Sequence, residues 1–305
     1  MPNPPAGTNP SARPSPDDEL LKLVTSFGVA PAAPQEQVET PYFSSTLEVP
    51  TGLAAPQNAK LTITVNYSVW FVDRNTLAGR AVRDNVGNAV MRDGSRTLFR
   101  LLDWDSRAWP YFKRQFEKAA EFWNNRFRLR TPDEYSGLSY PTLGGAGVSW
   151  RPDVDCYLRL TTNAKIPTQL VVYAVRPETF DGGDPNYREF RAITSLHRSH
   201  RPAAEMFLPM NLKGDSAHDL QVFAHEIGHV IDANGFRRDH IGSRLGTQGC
   251  FEDDNAPVCY NEPPGVPPNI MGIGMGLLPV NADGWQTAIE KHTGVSKFKW
   301  EAVVR

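Results

Sequence analysis

The sequence predicts an α+β fold with a small mixed sheet, two long helices and an irregular C-terminal part. Three observations predict it. Leu61–Val72 alternates apolar and polar residues and is rich in β-branched side chains, the pattern of a half-buried strand. Trp109, Phe112, Phe116, Ala119, Ala120, Trp123 and Phe127 recur three and four residues apart, which is one face of a helix. Leu220, Phe223, Ala224, Ile227, Gly228 and Ile231 form a second such stripe.

Taken in order, residues 1–40 are rich in Pro, Ala, Ser and Gln and read as a flexible leader, with residues 41–305 as one domain. Residues 74–104 carry Arg, Asp and Gly with turn signals at Asn85-Val-Gly and Asp93-Gly, and read as a loop or hairpin insertion. Asp105-Ser106 opens the first helix, whose first turn tolerates Pro110. Its aromatic stripe reads as core packing. Asp155–Thr162 and Gln169–Val175 read as two further strands. Residues 176–203 read as a polar loop, and its His197 and His200 as exposed side chains. Glu205–Leu212 is a short strand that Pro209 either confines to a sheet edge or ends. Asp215 or Ser216 caps the second helix, Asn234-Gly235 stops it, and Trp285–His292 forms a last one.

Composition bounds the function. The 305 residues are 40% hydrophobic and 22% charged, with a formal charge of −2. That balance gives no electrostatic pull toward nucleic acid or a membrane surface. No apolar run is long enough to span a bilayer. Met1-Pro-Asn-Pro-Pro lacks the basic and apolar regions of a secretory signal, which implies a cytoplasmic chain or export by a signal-independent route. In the second case the leader is a candidate docking arm for a secretion machinery. Cys250 and Cys259 either close a small loop, which would suit an oxidising destination, or stay free thiols.

The chemistry centres on His225-Glu226-Ile227-Gly228-His229, inside the second helix. Residues four apart share a helical face, so both imidazoles can reach one metal ion. Glu226 lies about 100° around the axis, beside the metal, where its carboxylate can act as general base. The pattern implies Zn2+ held by His225, His229 and a third ligand. The third ligand is assigned to His240, the first histidine beyond Gly235. Asp239, Glu252 and Glu262 are the alternatives. His218 shares the face of the pair but sits too far along the axis for the same ion. It is either a substrate-facing or capping group, or a surface histidine. Asp232 on that face is a candidate acceptor for a ligand imidazole.

The HExxH helix, together with Asn269-Ile270-Met271-Gly272, resembles the metzincin class of zinc metallopeptidases, in which a Met-turn lies beneath the zinc. The chain is also similar to metallopeptidase domains of some bacterial toxins and spike-borne effectors, which pair an HE-[FI]-GH helix with an N-[IV]-MG turn. The resemblance implies a metzincin-like catalytic domain and zinc-dependent hydrolysis of a protein or peptide substrate. It implies either an oxyanion-stabilising or a packing role for Tyr260. The chain departs from the full HExxHxxGxxH pattern, with Asp232 at the glycine and Gly235 at the third histidine. That departure keeps open a zinc hydrolase with a glutamate ligand, or a zinc-binding module without catalysis.

Overall fold

The computed structural model describes residues 34–50, 57–72, 81–83, 89–92, 98–100, 103–141, 149–176, 192–197, 202–210, 216–232, 240–245, 247, 248, 250, 257–261 and 265–305. The fold is mixed α/β, and its centre is β3 (Ala59–Val72), the strand marked by alternation. Leu61, Ile63 and Val65 are fully buried on its inner face. β10 (Val154–Thr161) pairs in parallel with its first half, and β11 (Leu170–Val175) in parallel with its second. β13 (Ala204–Pro209) continues in parallel beside β11, and β12 (Ile193–Leu196) closes that end antiparallel to β13. At the other end β7 (Phe127–Arg130) and β14 (Glu301–Val304) follow β10, both antiparallel. β1 (Gln37–Glu39) and β2 (Ser44–Glu48) add to β3, giving a nine-stranded mixed sheet.

The sheet is thus larger than the small one expected. The added strands are three to five residues long, too short for alternation to stand out. β1 lies within the stretch assigned to the leader, while residues 1–33 lie outside the described residues. The 74–104 segment contains a three-stranded antiparallel meander, β4 (Ala81–Arg83), β5 (Ala89–Arg92) and β6 (Leu98–Arg100). A two-stranded pair, β8 (Tyr140–Pro141) and β9 (Ser149–Trp150), stands apart. Glu205–Leu212 is not an edge strand. β13 is paired on both sides, and Pro209 is its last residue, where the next ladder bond comes from Met210 N–H to Val175 O at 2.8 Å. Among the described residues the edge at this end is β12, from the segment read as loop.

Helix α1 (Ala108–Trp123) starts where Asp105 Oδ1 accepts the Arg107 and Ala108 N–H groups at 2.8 Å each. It buries Phe112, Phe116, Ala119 and Trp123, while Trp109 stays 42% exposed. Phe127, counted in the same stripe, belongs to β7 instead. Asn125 (φ 54°) turns the chain through the left-handed region, which Asn tolerates. Helix α2 (Ser216–Ile231) crosses α1, with Phe112 and Phe223 rings 5.1 Å apart and Trp123 Nε1 donating to Ala224 O at 2.8 Å. Two further helices follow, the short α3 (Ile241–Arg244) and α4 (Asp283–Thr293). α4 packs Trp285 on Phe127 at 5.5 Å, so the C-terminal part returns to the core. Among the described residues no helix is long and apolar enough to cross a membrane.

Candidate metal centre

α2 carries the motif because one stripe of it is apolar and its first turn is acidic. Phe223, Ala224, Ile227, Val230 and Ile231 are buried against the sheet and α1. Asp219, in the first turn, suits the positive end of the helix dipole and accepts the Tyr111 hydroxyl at 3.0 Å. This fixes the rotation of α2, which leaves His225 and His229 half-buried on one side, ring centroids 4.8 Å apart. Their Nε2 atoms approach to 3.1 Å. His225 Nδ1–H donates to Ile270 O at 2.7 Å, which holds the ring and leaves Nε2 as the lone-pair nitrogen.

His240 joins them. Its ring lies 5.4 Å from that of His225 and 5.0 Å from that of His229. The donor atoms of all three residues lie within 4.8 Å of one another. Three nitrogens about 2.0–2.1 Å from a tetrahedral zinc stand roughly 3.3 Å apart, so small side-chain adjustments close the set. Three imidazoles also suit zinc chemically. Asp239, Glu252 and Glu262 lie outside the described residues.

His240 is held by tertiary contacts. It directly precedes α3, where Ile241 N–H donates to Met271 O at 3.0 Å. Arg244, at the end of α3, pairs with Asp232 at 2.5 Å and donates to Val280 O at 2.8 Å. Asp232 Oδ1 also accepts Gly284 N–H at 3.0 Å, so one buried carboxylate ties the end of α2 to α3 and α4. Sequence reading considered Asp232 for a ligand imidazole and did not see Arg244 as its partner. A disulfide joins Cys250 and Cys259. The Cys259 backbone lies so close to Gly242 that a Cβ there would meet Cys259 Cα at 2.8 Å. Tyr260, next in the chain, lays its ring 3.9 Å from that of His240.

Met271 lies under the helix. A Cβ at Gly228 would overlap the Met271 sulfur and come within 2.9 Å of Trp123, so the motif's glycine is what lets the two segments meet. Asn269 shapes the turn, its Oδ1 accepting Met271 N–H at 2.9 Å and its Nδ2 donating to Asn281 at 2.8 Å.

Glu226 is 5% exposed. Burial raises its carboxyl pKa to about 7, opposed by the Thr194 hydrogen bond and the nearby His240. Thr194 Oγ1–H donates to Glu226 Oε2 at 2.5 Å. Neither Thr194 nor Arg244 carried a local sequence signal. His218 is exposed on the first turn of α2. His197 meets an acidic neighbour that sequence reading did not find, its Nε2 3.2 Å from Glu205 Oε2, and His200 lies outside the described residues. Compared with family models, curated proteins and solved structures, the chain matches none of them.

Proposed function

We propose that this chain is a zinc-dependent endopeptidase with a metzincin-like catalytic domain. The observation that carries the reading is the convergence of His225, His229 and His240 beside the buried carboxylate of Glu226. The Asn269–Gly272 turn, with Met271 against Gly228, supports the family likeness. The wide spacing from His229 to His240 departs from the family pattern and is bridged by the Asp232–Arg244 pair.

Bound zinc would supply a Lewis acid that acidifies water and polarises a peptide carbonyl. His225, His229 and His240 would hold it, leaving a fourth position open. Glu226, buried beside the three imidazoles, would take a proton from the attacking water and return it to the leaving amine. An extended substrate would pair with β12, the edge strand at this end among the described residues, rather than with the internal β13. The disulfide favours an oxidising destination over the cytoplasm. A secretion-machinery partner at the N-terminal segment would fit such a destination.

The test is hydrolysis of an unfolded protein by metal-free chain titrated with zinc. Activity should appear with about one equivalent of zinc, vanish with chelator and return on re-addition. Glu226→Gln should keep the metal and lose about 10²- to 10⁴-fold in rate. Tight zinc binding without cleavage would make the chain a binding module instead.

A further inference from the structure

We infer that Thr194 is a positioning residue for Glu226, and that its hydroxyl ties the proposed general base to the strand on which substrate would lie. This deepens the peptidase reading and rests on it.

The argument starts from the carboxylate. A buried carboxylate needs donors, and the one to Glu226 Oε2 comes from a different element, the edge strand β12. The Thr194 hydroxyl has a single proton. At 2.5 Å from Oε2 and 3.4 Å from the Glu226 carbonyl oxygen, that proton belongs to the carboxylate. The hydrogen bond engages Oε2 and leaves Oε1 as the oxygen for proton transfer. Threonine suits the task because its β-branched side chain is stiff about χ1. It sits in a strand whose backbone is fixed to β13 on one side.

Among the described residues the other side of β12 is the end of the sheet order. A peptide added there would bond to the backbone of the strand whose alternate side chain grips Glu226. Pairing that shifts or stiffens β12 is therefore felt at the base. The hydroxyl would make base geometry depend on how the edge strand is occupied, with no contact between Thr194 and the scissile bond.

The experiment compares Thr194→Val, nearly the same shape without the hydroxyl, with Thr194→Ser, which keeps it. Thr194→Val should lower kcat by roughly 10- to 100-fold, the scale of a misplaced catalytic group, with KM within about twofold. Zinc content should stay close to wild type, Tm should fall only by the few degrees that one lost buried hydrogen bond costs, and Thr194→Ser should recover most of the rate. An unchanged kcat in Thr194→Val, or a Thr194→Ser variant as slow as Thr194→Val, overturns the inference. A second measurement needs no activity: crystal structures of metal-free wild type and Thr194→Val. Glu226 should hold one rotamer in the first and lose it in the second, and the same ordered rotamer in both also overturns the inference. Wild-type protein that binds zinc but cleaves nothing would remove the peptidase reading, while the crystal comparison still decides the Thr194–Glu226 link.

Discussion

His225, Glu226 and His229 share little more than one turn of α2, while His240 reaches the same point from a separate segment. The helix holds its three residues by local geometry, since positions four apart must lie on one face. The segment that carries His240 has only a four-residue helix of its own. It is held by a backbone bond to Met271, the Arg244–Asp232 pair and the packing of Gly242 on the disulfide-linked Cys259. One half of the site is therefore as stable as its helix, and the other only as stable as its fastenings. Perturbations should divide along that line.

The largest effect expected on the second half is removal of the ligand itself. His240→Ala should weaken zinc by much more than the roughly 10- to 100-fold of an outer-sphere change, with the fold intact. Competition with a chromophoric chelator measures this. Tight binding by His240→Ala would pass the third position to a residue such as Glu252 or Glu262.

Next is the buried ion pair. Its side chains are 8% and 1% exposed, for Arg244 and Asp232. Removing one partner strands the other, at a cost of about 3–5 kcal/mol. Asp232→Asn should therefore lower denaturant stability by that order and weaken zinc as well. Arg244→Met paired with Asp232→Leu should recover part of that loss, because no charge is stranded although Gly284 N–H loses its acceptor. If zinc affinity returns with it, the pair serves only to fasten the segment.

The disulfide comes third. Cys250 and Cys259 are nine positions apart, and a loop of that size gives about 3 kcal/mol in the chain-entropy model. Replacing both by Ser should lower stability by up to that amount. It should also loosen Tyr260 from His240, seen as a change in tyrosine fluorescence on zinc addition.

The same division governs what the sequence could reveal. The α2 half was legible because helical periodicity and metal-ligand spacing are local. β3 was legible for the same reason, its apolar–polar alternation running from Leu61 to Val69 within a β-branched stretch. His240 and Met271 could be named as candidates, but their fastening could not. Asp232 and Arg244 meet across a reversal of the chain, and no local pattern announces such a pair. β12 was missed because four residues among polar neighbours show no period. Pro209 left two readings open, a sheet edge or a strand end, and only pairing partners distant in sequence decide for the strand end. Phe127 continued a helical spacing by chance after Asn125 had already turned the chain.

The smallest expected effect lies at the C-terminal end of α4 and tests whether the sheet's N-terminal edge is fastened like the His240 segment. His292 on α4 is 2% exposed. Its Nδ1–H donates to Gln35 O, and its Nε2 meets Ser45 Oγ at 2.9 Å. Gln35 N–H returns a bond to His292 O at 2.8 Å. Burial lowers the His292 pKa below its ordinary 6.5, opposed by the bond to Gln35. The unfolded chain therefore takes up the proton more readily than the folded one. Stability from this group is complete above pH 6.5 and is lost as pH falls from there toward the lower folded value. The slope should not exceed one proton, about 1.4 kcal/mol per pH unit. Denaturant melts of wild type and His292→Gln between pH 7.5 and 5 measure it, and the variant should lack this component. Deletion through Thr40 should remove β1 and the Gln35 bonds, and so lower stability relative to a chain starting at residue 34. Equal melting of those two chains would show that β1 adds nothing, and that residue 41 is the effective start of the domain.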